Sequence, residues 1–169
     1  MISEKLMQKL NEQITYELFS AHLYLAMAAY CASQDLDGFS NFFKVQAEEE
    51  RFHAMKFFNY VNEREGNIKL TGFDAPKNEF ASILNVFEEG YEHEREVTRR
   101  IYELSDISLE EREHATISLL KWFIDEQVEE EASFNTLIKK LKRIDNDSTA
   151  LYMLDAELAQ RSFTPPVEA

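Results

Sequence analysis

The chain has 169 residues, a net charge of −14, and little glycine (4) or proline (3). That length holds one domain with a core large enough to fold unaided, and the scarcity of turn formers favours long helices. So acidic a surface works against nucleic acid and anionic membrane as partners and attracts cations instead.

The first predicted helix covers residues 3–33, with Ser3 as candidate N-cap. Its inward stripe reads Leu6, Leu10, Gln13, Glu17, Ala21, Tyr24, Ala28. A second line, Phe19, Leu23, Met27 and Tyr30, lies roughly 200° from those positions, since each residue turns the helix by about 100°. One bundle cannot bury opposite faces of the same helix, so this line is expected to form an interface. Cys31 is the only cysteine, which excludes an intrachain disulfide and suits a reducing cytoplasm. Met1–Leu10 has no apolar leader segment. The apolar run Leu18–Ala32 is shorter than the ~20 residues of a membrane span and reads as a buried helix.

The second predicted helix, 37–65, has Asp37 as its expected cap and the stripe Phe39, Phe43, Gln46, Glu50, His53, Phe57, Tyr60. Val45, Phe52 and Met55 are expected on its outer side. Asn67–Lys77, with Gly72 and Pro76, shows no helical period and reads as a long connection. The third predicted helix, 78–104, carries Phe80, Leu84, Phe87, Tyr91, Glu94, Thr98 and Ile101 on one stripe. Ser105–Ser108 reads as a turn, and Ser108 with Glu111 as the capping box of a fourth helix, 108–143. That helix has the stripe Leu120, Phe123, Gln127, Glu130, Phe134, Leu137, Leu141. A short fifth helix, 148–160, places Leu151, Leu154 and Leu158 on one face. Short turns make antiparallel neighbours, and the long connection can cross the bundle. The expectation is an all-α four-helix bundle with one long crossover and a short C-terminal helix.

All four long stripes are interrupted near their middles by Glu17, by Glu50 and His53, by Glu94, and by Gln127 and Glu130. A buried carboxylate is unfavourable unless it is paired or bound to a cation. No Lys or Arg lies on these stripes, so a metal is the expected partner. Glu50 and His53 are three apart and face the same way. Oxygen-rich ligation with one imidazole and no thiolate suits iron or manganese better than structural zinc. Two metals sharing a carboxylate, with Glu50 the best placed bridge, would use every ligand. A hydrogen-bonded polar layer is the plainer alternative. Glu111 and His114 repeat the Glu-x-x-His spacing at the start of the fourth predicted helix and are not assigned to the centre. His22 and His93 fall off the stripes and are expected to be solvated.

Glu17, Glu50-Arg51-Phe52-His53, Tyr91-Glu92-His93-Glu94 and the block Trp122–Glu131 together resemble the ferritins, specifically the haem-free prokaryotic type. The resemblance spans the chain as a single ferritin-like domain, 1–169. It implies a cytoplasmic, hollow shell of 24 identical subunits that oxidises Fe(II) with O2 or H2O2 and stores ferric mineral. By the same resemblance Glu17, Glu50 and His53 hold one iron, and Glu50, Glu94 and Glu130 a second, with Gln127 close by. Tyr24 would sit beside these ligands. Glu49, Glu126 and Glu129, with Glu130, would form a third, inward-facing iron site. Bacterioferritins carry a haem-binding Met directly after the second helix's glutamate, where this chain has Arg51, so no haem is expected. A rubrerythrin-like oxidase or peroxidase and a metal-free helical interaction protein are the competing readings.

Overall fold

The structure is a computed structural model and describes residues 2–166. It consists of α1 (Glu4–Ser33), α2 (Asp37–Glu63), α3 (Ile83–Glu110), α4 (His114–Ile144) and α5 (Ser148–Leu158), with no strand among the described residues. α1 pairs with α2 and α3 with α4 through short turns, α1 also packs on α3, and α5 seats on α2 and α4. Residues 64–82 form the crossover. No helix among the described residues is long and apolar enough to cross a membrane.

Local chemistry accounts for the helix ends. Ser3 accepts from the Leu6 amide at 3.0 Å, the expected cap. Its hydroxyl also donates to Glu111 at 2.8 Å, joining the start of α1 to the end of α3. Asp147 caps α5 by accepting from the Thr149 and Ala150 amides. The turns after the four long helices each contain one non-glycine residue with positive φ: Asp35, Glu65, Arg112 and Asp145. Those residues do the work that glycine does at many helix C-termini, in a chain with few glycines.

Two apolar clusters fill the bundle, one towards each end. Leu6, Leu10, Phe57, Ile101, Leu120 and Phe123 belong to the first. Tyr24, Phe43, Phe87, Phe134 and the α5 leucines Leu154 and Leu158 belong to the second. Glu17, Glu50, His53, Glu94, Gln127 and Glu130 are also buried, and form the polar layer between the clusters.

Several sequence expectations are corrected. α3 begins at Ile83 with Ser82 as its cap, not at 78, and it runs on to Glu110. The expected turn at 105–108 is helical. Ser108 turns its hydroxyl back onto the Leu104 carbonyl at 2.7 Å, and Glu111 is a C-cap, so the two form no capping box. α4 starts at His114, so Glu111 and His114 lie on opposite sides of the turn. Asp37 is the first residue of α2, not its cap; Leu36 stands at the cap position, and Asp155 of α5 accepts from the Phe39 amide at 2.9 Å in its place. The supposed outer line of α1 is largely covered by its own chain. Leu23 and Met27 are buried, Phe19 packs on Phe73, and Tyr30 packs on Phe80 of the crossover. Val45 is buried too, and Phe52 packs on Trp122 and Phe163, leaving Met55 exposed. His93 is not solvated. It packs under α1, with its Nε2 2.7 Å from the Ser20 hydroxyl and its ring stacked on Tyr16, and burial lowers its pKa to about 4.

Candidate metal centre

The centre is assembled from the middles of the four long helices. Glu17 comes from α1, Glu50 and His53 from adjacent turns of α2, Glu94 from α3, and Gln127 and Glu130 from α4. With the α3–α4 turn at Arg112, Glu94 and Glu130 are equidistant from it in sequence, so antiparallel packing brings them to one level. A turn placed at 105–108 conceals that symmetry.

Glu17, Glu50 and His53 bring one ligand atom each within 4.8 Å of one another, and all three are buried. Glu17 accepts from Gln13 Nε2 at 2.8 Å through Oε1, while its Oε2 has no hydrogen-bond partner. Glu50 Oε2 is likewise without a hydrogen bond and lies 3.7 Å from His53 Nδ1. Trp122 and Phe123 wall the imidazole edge-on, with ring centroids at 5.5 and 5.8 Å.

The other two carboxylates are held differently. Tyr24 donates its hydroxyl to Glu94 Oε1, and Gln127 Nε2 donates to Glu94 Oε2 at 3.0 Å. Gln127 also reaches the Glu94 carbonyl and the Thr98 hydroxyl, both at 3.2 Å. Glu130 accepts from Gln46 Nε2 at 2.9 Å. Gln13 and Gln46 are visible on the stripes as polar interruptions. Their role as amide props for Glu17 and Glu130 depends on side-chain direction, which spacing leaves open.

The electrostatics are those of a buried cluster of like-charged carboxyl groups. Burial, then the like charges of Glu94 and Glu17, pushes Glu50 well above the ordinary carboxyl range. Burial raises Glu94 to about 7 despite the hydrogen bonds from Tyr24 and Gln127. Glu130 rises to about 8, through burial and then the charge on Glu94. Tyr24 is raised well above 10 by burial and by the charge on Glu94, so it stays a neutral donor. No Lys or Arg forms an ion pair with Glu17, Glu50, Glu94 or Glu130 among the described residues. Unpartnered carboxylate oxygens, an imidazole and no protein counter-charge are a donor set suited to divalent iron.

The acidic run beside the centre is less assembled. Glu49 accepts from Arg161 at 2.8 Å. Glu126 is partly buried, and burial raises its pKa. Glu129 is exposed. Arg161 has no signal in the sequence, because nothing in the tail's composition shows that it folds back onto α2.

A four-helix bundle with a carboxylate-rich centre supplied by all four helices defines a class of metalloprotein, the ferritin-like bundles. A model of the ferritin-like domain matches residues 7–144. A bacterial non-heme ferritin of Staphylococcus aureus (strain MRSA252) is 50% identical over 163 residues, covering 96% of this chain and 98% of that protein. One from Staphylococcus saprophyticus is similar to the same extent. Among solved structures, an open-pore ferritin from the archaeon Archaeoglobus fulgidus superposes with a TM-score of 0.95 at 48% identity, covering 96% of this chain and all of that one. A closed form of that ferritin, made by mutagenesis, gives 0.95 at 49% identity over 97% of this chain. The chain belongs to the ferritin family, on its haem-free side.

Proposed function

We propose that this protein stores iron, and that the buried centre is where it oxidises Fe(II). Glu17, Glu50 and His53 hold one ferrous ion. Glu50 bridges to a second, held by Glu94 and Glu130 with Gln127 alongside. The observation that carries this reading is the pair of orphaned oxygens, Glu17 Oε2 and Glu50 Oε2, in a buried cluster with His53 and no protein cation. Iron supplies the redox chemistry, each ferrous ion giving one electron to O2 or H2O2. The protein's part is to bind, orient and exclude water. Entering cations displace the protons that burial holds on Glu50, Glu94 and Glu130, so binding releases protons and weakens in acid. Tyr24 and Gln127 fix Glu94, and Gln46 fixes Glu130, so the second ion meets oriented ligands.

Glu49, Glu126 and Glu129, with Glu130, form a third iron site between the centre and the storage cavity. Like the family, the subunits close into a shell, with 24 copies the expected number. Leu25, Met55, Leu70 and Phe73 are exposed on the single subunit, which supports burial by neighbouring copies. The buried free thiol of Cys31 suits a cytoplasmic setting. A rubrerythrin-like activity is not favoured, because the relatives above are ferritins.

Particle mass and ferrous oxidation test this reading together. A very large particle that gains iron and oxidises two Fe(II) per subunit in a fast first phase is expected. A small particle with no fast phase contradicts it.

A further inference from the structure

The C-terminal tail reaches the acidic run from outside the four-helix bundle. α5 ends at Leu158, and the chain then folds along α2 as far as Phe163. Asn41 of α2 clamps it, donating from Nδ2 to the carbonyls of Leu158 at 3.1 Å and Arg161 at 2.9 Å. The Arg161 guanidinium lies over the Phe42 ring, 4.4 Å from its centroid, and donates to the Phe42 carbonyl at 3.4 Å. Its Nη2 donates to Glu49 Oε2 at 2.8 Å. Phe163 caps the arrangement against Phe52, with centroids 5.8 Å apart, and Phe52 packs on Trp122. Asn41, Phe42, Glu49 and Phe52 all lie on α2, and Glu49 directly precedes the bridging Glu50.

We propose that Arg161 is a built-in cation at the third iron site, so that a third ferrous ion binds only when the tail releases Glu49. This rests on the third-site reading given above. An arginine stays charged at any working pH, and its planar fork matches a carboxylate. A ferrous ion and a guanidinium cannot share the Glu49 carboxylate without like-charge repulsion in a partly desolvated place. The first two ions bind ligands that Arg161 does not touch, so they fill first. The third competes with the tail, which ties occupancy of the site to the docking of α5 and the segment after it. Arg161 is thus a positioning residue, acting on iron through Glu49.

The test is anaerobic titration of the intact particle with Fe(II), comparing wild type, Arg161→Gln, Arg161→Lys and Glu126→Gln. Amide hydrogen exchange of the tail is followed in parallel. Arg161→Gln should tighten the third ion about tenfold, the scale of one charge-assisted contact, and leave the first two unchanged. Arg161→Lys keeps the charge and should stay near wild type. In wild type, exchange across residues 159–166 should rise with the third equivalent of iron and not with the first two. Equal third-ion affinity in wild type and Arg161→Gln overturns the latch, as does a tail whose protection ignores the third equivalent. If Glu126→Gln leaves all three equivalents intact, the third-site reading itself fails and the latch falls with it. A third ion that depends on Glu126 and is indifferent to Arg161 removes the latch alone.

Discussion

Glu130→Gln should make the metal-free protein more stable in base while removing its hold on the second iron. The substitution is nearly isosteric, and the new amide oxygen can still accept from Gln46. What it removes is a charge. Burial and the charge on Glu94 raise the Glu130 carboxyl from 4.5 to about 8. The folded state therefore binds this proton more tightly than the unfolded chain. The stability so conferred is complete below about pH 4.5 and is lost as pH rises through about 8. The shift corresponds to roughly 5 kcal/mol at 1.36 kcal/mol per pKa unit. Glu50, Glu94 and Glu130 hold that preference jointly, so removing one member should recover on the order of 2 kcal/mol. The assay is denaturant unfolding of chelator-stripped protein at fixed subunit concentration, at about pH 5 and about pH 8.5. The variant should match wild type in acid and exceed it in base. Anaerobic Fe(II) should reverse the order by stabilising wild type more. Equal destabilisation of the variant at both pH values would refute the reasoning, because it would mean that Glu130 is a stably ionised group in the metal-free fold.

Other perturbations probe separate parts of the account. His53→Ala removes the only imidazole of the centre and should slow the fast phase of ferrous oxidation in stopped flow by more than about a hundredfold, beyond the loss typical of groups that merely support a ligand. Tyr24→Phe preserves the ring packing on Phe43 and Phe134 but frees Glu94 Oε1. It should weaken the second anaerobic Fe(II) equivalent while sparing the first, and an unchanged second equivalent would remove Tyr24 from the site. Gly90→Ala would put a Cβ 2.4 Å from Phe134 Cε1, an overpacking that should destabilise by about 1–3 kcal/mol in thermal unfolding. Leu25→Glu, on an exposed side chain, should shift sedimentation to smaller particles of unchanged helicity if shell contacts cover it.

The buried polar layer was legible in sequence because the polar residues stand at helical spacing on otherwise apolar stripes. Glu17, Glu50, His53, Glu94, Gln127 and Glu130 all fall in the buried layer. The α3–α4 turn was not legible. It has no glycine or proline, Arg112 takes the positive φ, and Ser108 offers a capping pattern while bonding within its own helix. The second apolar line of α1 misled for a related reason. Periodicity shows that a face is apolar but not whether the crossover of the same chain covers it, as Phe73 and Phe80 do here. Arg161 and the burial of His93 are long-range pairings that local pattern does not encode.

The most direct test of the central claim is a crystal structure of the particle soaked anaerobically with Fe(II), with anomalous scattering recorded at the iron edge. The account predicts two strong peaks inside each subunit. One should lie within bonding distance of Glu17, Glu50 and His53, and the other of Glu50, Glu94 and Glu130. Iron confined to surface carboxylates, with the Glu17–Glu50–His53 cluster empty, would contradict it.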